Sequence, residues 1–270
     1  MSITDDGEYG QKQIDFLELI WGKGFLSPGG TTEVDLVVDG LDLSGLHILD
    51  IGCGCGGAVF HLIKQHGAAS AIGIDIEPLV IARATQLTKE YDLTDKARFE
   101  VVTPGKLPFP DQHFDMVFSK DAFLHIPDKE TLMADIARVL KPNGIIAASD
   151  WMRLDDNPPS QVMQDYIAAE GLDMHMCSLD RYSKALTNAG FANIKRQDRN
   201  AWYLDLAEQE WQSMTTEPMR SQVVACIGEA EANETSNIWR QMIGVLEIGE
   251  HRPGHFRATK KARIIIGKIR

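Results

Sequence analysis

No stretch of the chain approaches the ~18 consecutive apolar residues that a membrane-crossing helix requires, so no helical span is expected. Cysteine is scarce. The four residues, Cys53, Cys55, Cys177 and Cys226, are too few and too scattered for a disulfide scaffold. Cys53 and Cys55 alternate with glycines and have no second pair at zinc-site spacing, so reduced thiols of the cytoplasmic kind are expected. Basic charge is also short, with 27 Lys and Arg against 39 Asp and Glu and a formal net charge of −12. Such a surface repels phosphate backbones and anionic lipid, which argues against nucleic acid and membrane and leaves a small molecule as the expected partner. Met1 to Gly10 lacks the basic start and apolar centre of a signal peptide, and a cytoplasmic location follows as an expectation. Internal repeats and low-complexity stretches are absent, and nothing in the pattern sets an oligomeric state.

What is present, from Leu46 onward, is an alternation of short β-branched runs with helical patterns. That alternation predicts an α/β fold with a parallel sheet flanked by helices. Five strands are expected at His47–Ile51, Ala71–Ile76, Phe99–Thr103, Phe114–Ser119 and Gly144–Trp151, with a sixth over Ala192–Gln197. Helices are expected over Ala58–Gln65, Pro78–Tyr91 and Lys129–Leu140, the last ended by Lys141-Pro142-Asn143-Gly144. Val162–Gly190 and Leu204–Ile248 read as mostly helical, and the basic stretch Arg257–Arg270, alternating with Ile264, Ile265 and Ile266, as a final strand. The expected organisation is an N-terminal helical lid over 1–45, a core over 46–200, a helical cap over 201–256 and the last strand over 257–270.

Asp50-Ile51-Gly52-Cys53-Gly54-Cys55-Gly56-Gly57 falls where the first strand turns into a helix. Glycines there permit positive φ and a close approach of backbone to a ligand. Asp75, ending the second strand, is placed to accept from two ribose hydroxyls. Together these fit any adenosyl cofactor, since a G-x-G turn also opens dinucleotide-binding folds. Asp-x-Gly-x-Gly in place of a spaced G-x-G-x-x-G points away from NAD. So do Leu107-Pro108-Phe109-Pro110-Asp111 before strand four and Arg138-Val139-Leu140-Lys141-Pro142-Asn143-Gly144 before strand five.

These runs, in this order, closely resemble the class I methyltransferases that use S-adenosylmethionine (SAM), over roughly Leu46 to Trp151. The resemblance implies a Rossmann-like, seven-stranded, mostly parallel sheet with helices on both faces and a helical cap. Ser119-Lys120-Asp121-Ala122-Phe123-Leu124-His125 resembles a segment of the phosphoethanolamine and sarcosine/dimethylglycine N-methyltransferases. Tyr9, the run Leu19 to Gly30 and Phe256-Arg257-Ala258-Thr259-Lys260 are similar to the phosphoethanolamine group. By that resemblance Tyr9 and His125 form a catalytic pair, Asp121 contacts the substrate amine and Ser27 contacts SAM. The expected cofactor residues are Ser27, Asp50, Gly52, Gly54, Asp75, Ile76, Thr103 and Lys120; Thr103 stands where relatives carry an acidic residue for the adenine amino group. A protonated amine has no lone pair, and a histidine is suited to take its proton.

The phosphoethanolamine enzymes hold the substrate phosphate with tyrosines, an arginine and a lysine, and the corresponding positions here are Leu17, Leu172, Met242 and Glu170. That loss, with Asn157-Pro158-Pro159 and Gly171 to Tyr182 looking like the other branch, predicts a sarcosine- or dimethylglycine-type acceptor and betaine synthesis. Phosphoethanolamine, or a sulfur, carbon or oxygen nucleophile, stands as the alternative, and a non-catalytic SAM-binding module as a remote one. Trp151, Glu170 and Arg181 are the candidate acceptor contacts, with Arg153 a further candidate for a carboxylate. Asn157-Pro158-Pro159-Ser160 follows strand five and lacks the aromatic residue of DNA-adenine methyltransferase motifs, so it reads as a proline turn. His, Cys, Asp and Glu show no convincing ligand cluster along the chain, and no metal is expected.

Overall fold

A computed structural model describes residues 10–262. Seven strands form one sheet: β1 (His47–Ile51), β2 (Ser70–Asp75), β3 (Ala97–Val101), β4 (Phe114–Lys120), β5 (Leu140–Asp150), β6 (Phe191–Asp198) and β7 (Gly254–Lys260). Their order is β3-β2-β1-β4-β5-β7-β6. β7 runs antiparallel to both neighbours and the other strands are parallel to one another. The α/β fold expected from the alternation is the one observed.

Alternation along the strands splits the core into two layers. Ile48, Met116 and Phe118 face α2 (Gly30–Val38), α3 (Gly57–Lys64) and α4 (Pro78–Glu90). Leu49 and Val117 face the opposite layer, with Ile136 on α5 (Lys129–Val139) and Leu186 on α7 (Leu179–Asn188). Local chemistry starts these helices. Asp128 caps α5 by accepting from the Thr131 N–H at 2.9 Å, Ser178 caps α7, and Pro78 opens α4.

A third apolar cluster lies over the sheet's carboxyl edge. It joins α1 (Gln11–Trp21), α6 (Gln161–Glu170), α8 (Asn200–Thr215), α9 (Met219–Ile227) and α10 (Glu229–Glu247) through Phe16, Tyr166, Tyr203, Trp239 and Met242. The region read as one long helical stretch is broken at Pro218 and Gly228. Asn157-Pro158-Pro159 is a turn, and Ser160 caps α6.

Most strand ends differ from the expected ones by one or two residues, and the starts of β5 and β7 differ by more. β5 begins at Leu140, because the chain turns extended directly after Val139 and absorbs Asn143, at φ 65°, as an irregularity against β4. β7 begins at Gly254, opposite Asp150 of β5 and Asp198 of β6, three residues before the expected start at Arg257. Ile264, Ile265 and Ile266 lie outside the described residues.

Candidate active site

The strand order reverses between β1 and β4, and in open parallel sheets ligands settle at the carboxyl ends beside such a reversal. Two cavities meet there, a cleft of about 900 Å³ and a chamber of about 230 Å³ under the cap. Gly52, at φ 72°, turns the chain out of β1, and a Cβ on it would stand 2.1 Å from the Ala122 Cβ beyond β4. Only glycine lets the two loops close to this separation. Gly57 opens α3 with its N–H donating to the Gly24 carbonyl at 2.9 Å, where an added Cβ would meet that carbonyl oxygen at 2.7 Å. The segment after α1 is thereby seated on the glycine turn.

The structure places all eight expected cofactor residues on the wall of the cleft: Ser27, Asp50, Gly52, Gly54, Asp75, Ile76, Thr103 and Lys120. Asp75 accepts from the Gly54 N–H at 2.9 Å and the Glu77 N–H at 3.1 Å, which fixes its carboxylate at the rim. Lys120 donates to Ser27 Oγ at 2.5 Å and to Asp121 Oδ2 at 2.9 Å, and its side chain and that of Asp121 are only 5% and 4% exposed. Asp121 takes a left-handed φ of 53° just after β4, a strained position that aims a short acidic side chain into the junction.

Asp50 is buried at the carboxyl end of β1. It is 1% exposed, and neither carboxylate oxygen has a hydrogen-bond partner among the described residues. Burial, together with the charge of Asp75, pushes its carboxyl up to about 8 against the pull of Lys120. Asp75 is also raised by burial, against the backbone N–H groups that bond it. An orphaned buried carboxylate suits a ligand that brings a cation or a donor.

His125, Asp121, Leu26 and Ser27 line both cavities, so they mark the junction. His125 closes a short 3-10 turn, Phe123–His125, and its Nδ1 lies 2.9 Å from the Asp173 carbonyl oxygen. A carbonyl only accepts, so Nδ1 carries the hydrogen and Nε2 keeps the lone pair. The remaining chamber wall is largely apolar, with the aromatic faces of Trp21, Trp151 and Trp239 and the acids Glu170, Glu231 and Glu234. Trp21 and Trp239 are tilted against each other with ring centroids 5.6 Å apart, and the Trp21 indole donates to Glu210 at 2.8 Å. Burial raises Glu170 and Glu210 to about 7 each, against the Tyr166 hydroxyl in one case and the Trp21 indole in the other.

A methyltransferase-domain family model matches residues 42–219, about two thirds of the chain. The chain belongs to the methyltransferase family, whose cofactor is SAM. Among curated proteins, the maize phosphoethanolamine N-methyltransferase 1 is 30% identical over 260 residues, covering 96% of this chain and 50% of that protein. The chain thus spans about half the length of the curated relatives it matches first. A Haemonchus contortus phosphoethanolamine N-methyltransferase 2, solved with phosphomonomethylethanolamine and S-adenosylhomocysteine, superposes with a TM-score of 0.84 at 22% identity, covering 92% of this chain and 57% of that one. A putative sarcosine dimethylglycine methyltransferase from Galdieria sulphuraria superposes with a TM-score of 0.79 at 21% identity, covering 94% and 98%. At these identities the two superpositions establish the shared fold.

The residues of this methyltransferase fit SAM. The cofactor's ammonium group matches the orphaned Asp50 carboxylate in charge and donors. Ile76, 45% exposed on the cleft wall, offers apolar surface for a purine to cover. Not every expected acceptor contact reaches the chamber. Arg181 sits on the first turns of α7, paired with Glu130 of α5 at 2.9 Å, and does not line either cavity. Arg153 is buried between the Asn157 carbonyl and Glu250, also off the chamber wall. Neither arginine lines the chamber as a carboxylate clamp there would have to. Tyr9 lies outside the described residues. Conversely, Glu231 and Glu234 line the chamber without having been singled out for it; the spacing Glu231, Glu234, Ile238, Met242 along α10 is the helical stripe that carried the signal.

Proposed function

We propose that this methyltransferase moves the methyl group of SAM to the nitrogen of a small polar amine, with an ethanolamine-type head group, phosphoethanolamine included, as the first acceptor to examine. One observation carries the proposal: His125 and Asp121 stand at the single junction of a cofactor-sized cleft and a small aromatic and acidic chamber. The curated relatives, all phosphoethanolamine N-methyltransferases among the first five, support the ethanolamine type over the sarcosine type expected from the sequence.

SAM, bound in the cleft, supplies an electrophilic methyl on a sulfonium leaving group. The chain's own task is alignment and proton removal. The acidic chamber and the faces of Trp21, Trp151 and Trp239 attract an ammonium ion, by charge and by cation–π contact. Asp121, held by Lys120, fixes the amine at the junction. His125 Nε2, left with its lone pair by the Nδ1 bond to Asp173, takes the ammonium proton and frees the nitrogen lone pair. The Phe16, Leu17, Trp239 and Met242 side of the chamber keeps water out of that exchange.

An unphosphorylated amine is favoured by a separate observation. Leu17, Glu170, Leu172 and Met242, which replace the phosphate holders of the relatives, all line the chamber, and no Lys or Arg does among the described residues. The acids there, to the extent that they are ionised, repel a phosphate dianion with no cation on the chamber wall to offset them. Incubation with methyl-labelled SAM and separate pools of phosphoethanolamine, ethanolamine, sarcosine and dimethylglycine decides between them. Label in ethanolamine or phosphoethanolamine supports the proposal, label only in a carboxylated amine returns the acceptor to the sarcosine type, and label in none contradicts amine methylation.

A further inference from the structure

At the opposite end of the sheet from the cofactor cleft, three side chains from two elements converge. Asp35 lies on α2, His61 on the last turn of α3, and His66 beyond the end of α3 where the chain turns toward β2. Both imidazole Nε2 atoms approach one and the same carboxylate oxygen, Asp35 Oδ1, at 2.6 Å and 2.7 Å. The three ligand-type atoms all lie within 4.8 Å of one another, and the rings stand edge to face with centroids 5.4 Å apart. None of the three residues lines either cavity of the active site.

We infer that Asp35, His61 and His66 form a binding site for a divalent transition-metal ion, Zn²⁺ in particular. Two neutral imidazoles and one carboxylate are the donor set that zinc takes with three protein ligands, water completing the tetrahedron. The set excludes Ca²⁺ and Mg²⁺, which prefer oxygen throughout. Convergence is the deciding feature. Two rings that share one oxygen direct both Nε2 atoms at a common point, which a single salt bridge does not require. Zinc–ligand distances of about 2.0–2.1 Å in a tetrahedron need ligand atoms roughly 3.3 Å apart, so the trio opens by about 0.6 Å on loading. Asp35, with its side chain 53% exposed, has the freedom to do so, while the histidine side chains, 13% and 23% exposed, are held by the fold.

The ion joins α2 to the α3–β2 connection on the outside of a buried apolar layer to which Val34, Val37, Leu62 and Ile63 contribute. Its effect is to brace that layer, since it has no route to the transferred methyl group. Binding is therefore independent of the acceptor's identity and of methyl transfer.

The test uses the full chain without a histidine tag, stripped by chelator and titrated calorimetrically with Zn²⁺. One equivalent binds per chain, the melting temperature rises with Zn²⁺, and His61→Gln/His66→Gln loses at least about 10- to 100-fold in affinity along with the thermal shift. Asp35→Asn, which keeps the shape of the side chain, weakens binding in the same direction. In the unaltered chain, NMR of the imidazoles shows two of the eight histidines moving on Zn²⁺ addition, and they assign to His61 and His66. No saturable binding, binding unchanged in the double variant, or perturbation of a different set of histidines overturns the site.

Discussion

Asp50 and His125 carry the sharpest consequences at the scale of single residues. Asp50 is buried without a hydrogen-bond partner among the described residues and its carboxyl is raised to about 8, so it holds a proton at neutral pH in the ligand-free protein. If the ammonium of SAM takes the place of that proton, binding below pH 8 releases it. Calorimetry in buffers of different ionisation enthalpy is expected to show net proton release near pH 7 and tighter binding as pH rises toward 8. Asp50→Asn is expected to bind more weakly and to lose that pH dependence. For His125, replacing the group that takes the amine proton is expected to cost about 10²- to 10⁴-fold in turnover, with SAM affinity in His125→Ala changed by no more than about threefold. Glu170 belongs to the same scale. Glu170→Gln removes a chamber carboxylate, and KM for a phosphorylated acceptor is expected to fall about tenfold while that for an unphosphorylated one does not fall.

At the scale of elements, the glycine turn after β1 and the loop after β4 form one unit, and a double-mutant cycle tests it. Gly52→Ala combines a left-handed φ with a 2.1 Å clash against Ala122. It is expected to cost about 1–2 kcal/mol from backbone conformation alone, and SAM affinity beyond that as the loops separate. Adding Ala122→Gly removes the clash and is expected to return part of the affinity but not the conformational cost. Equal losses in the single and double variants would show that the two loops do not press on each other.

The same elements show what was legible in the sequence. Asp50 to Gly57, Asp75 and Lys120 to His125 lie at the ends of consecutive parallel strands, so local pattern and chain order together implied their assembly, and the structure sets them on one cleft. The chamber was harder to see, because Leu17, Glu170 and Trp239 come from α1, α6 and α10 and meet only through tertiary packing. Arg181 illustrates the limit. Its charge suited a carboxylate, but the cap at Ser178 starts α7 in a register that turns it toward Glu130. His61 and His66 are separated by four residues along the chain, but the carboxylate that joins them comes from α2, and no sequence spacing links Asp35 to the end of α3.

Taken whole, the molecule buries several acids that burial holds above their ordinary range. Burial raises Asp50 to about 8 and Asp150, Glu170 and Glu210 each to about 7. An acid raised on folding binds more protons folded than unfolded between its ordinary value and its raised one, so stability falls as pH climbs through that window. His251, buried and lowered from 6.5 to about 3, works in the opposite sense only below its ordinary value. Between pH 6.5 and 8 the acids therefore act without that offset. The ligand-free chain is expected to lose on the order of 4 kcal/mol across this range, read by thermal or denaturant unfolding, and saturating SAM is expected to offset the part due to Asp50.

The most direct measurement of the central claim is transfer of a labelled methyl group from SAM to an ethanolamine-type amine, with the label's position fixed by tandem mass spectrometry, in the unaltered chain and in His125→Ala side by side. Label on nitrogen, strongly reduced in the variant while SAM still binds, is the predicted result. Label on oxygen, carbon or sulfur, or transfer to nitrogen that His125→Ala leaves untouched, would contradict it.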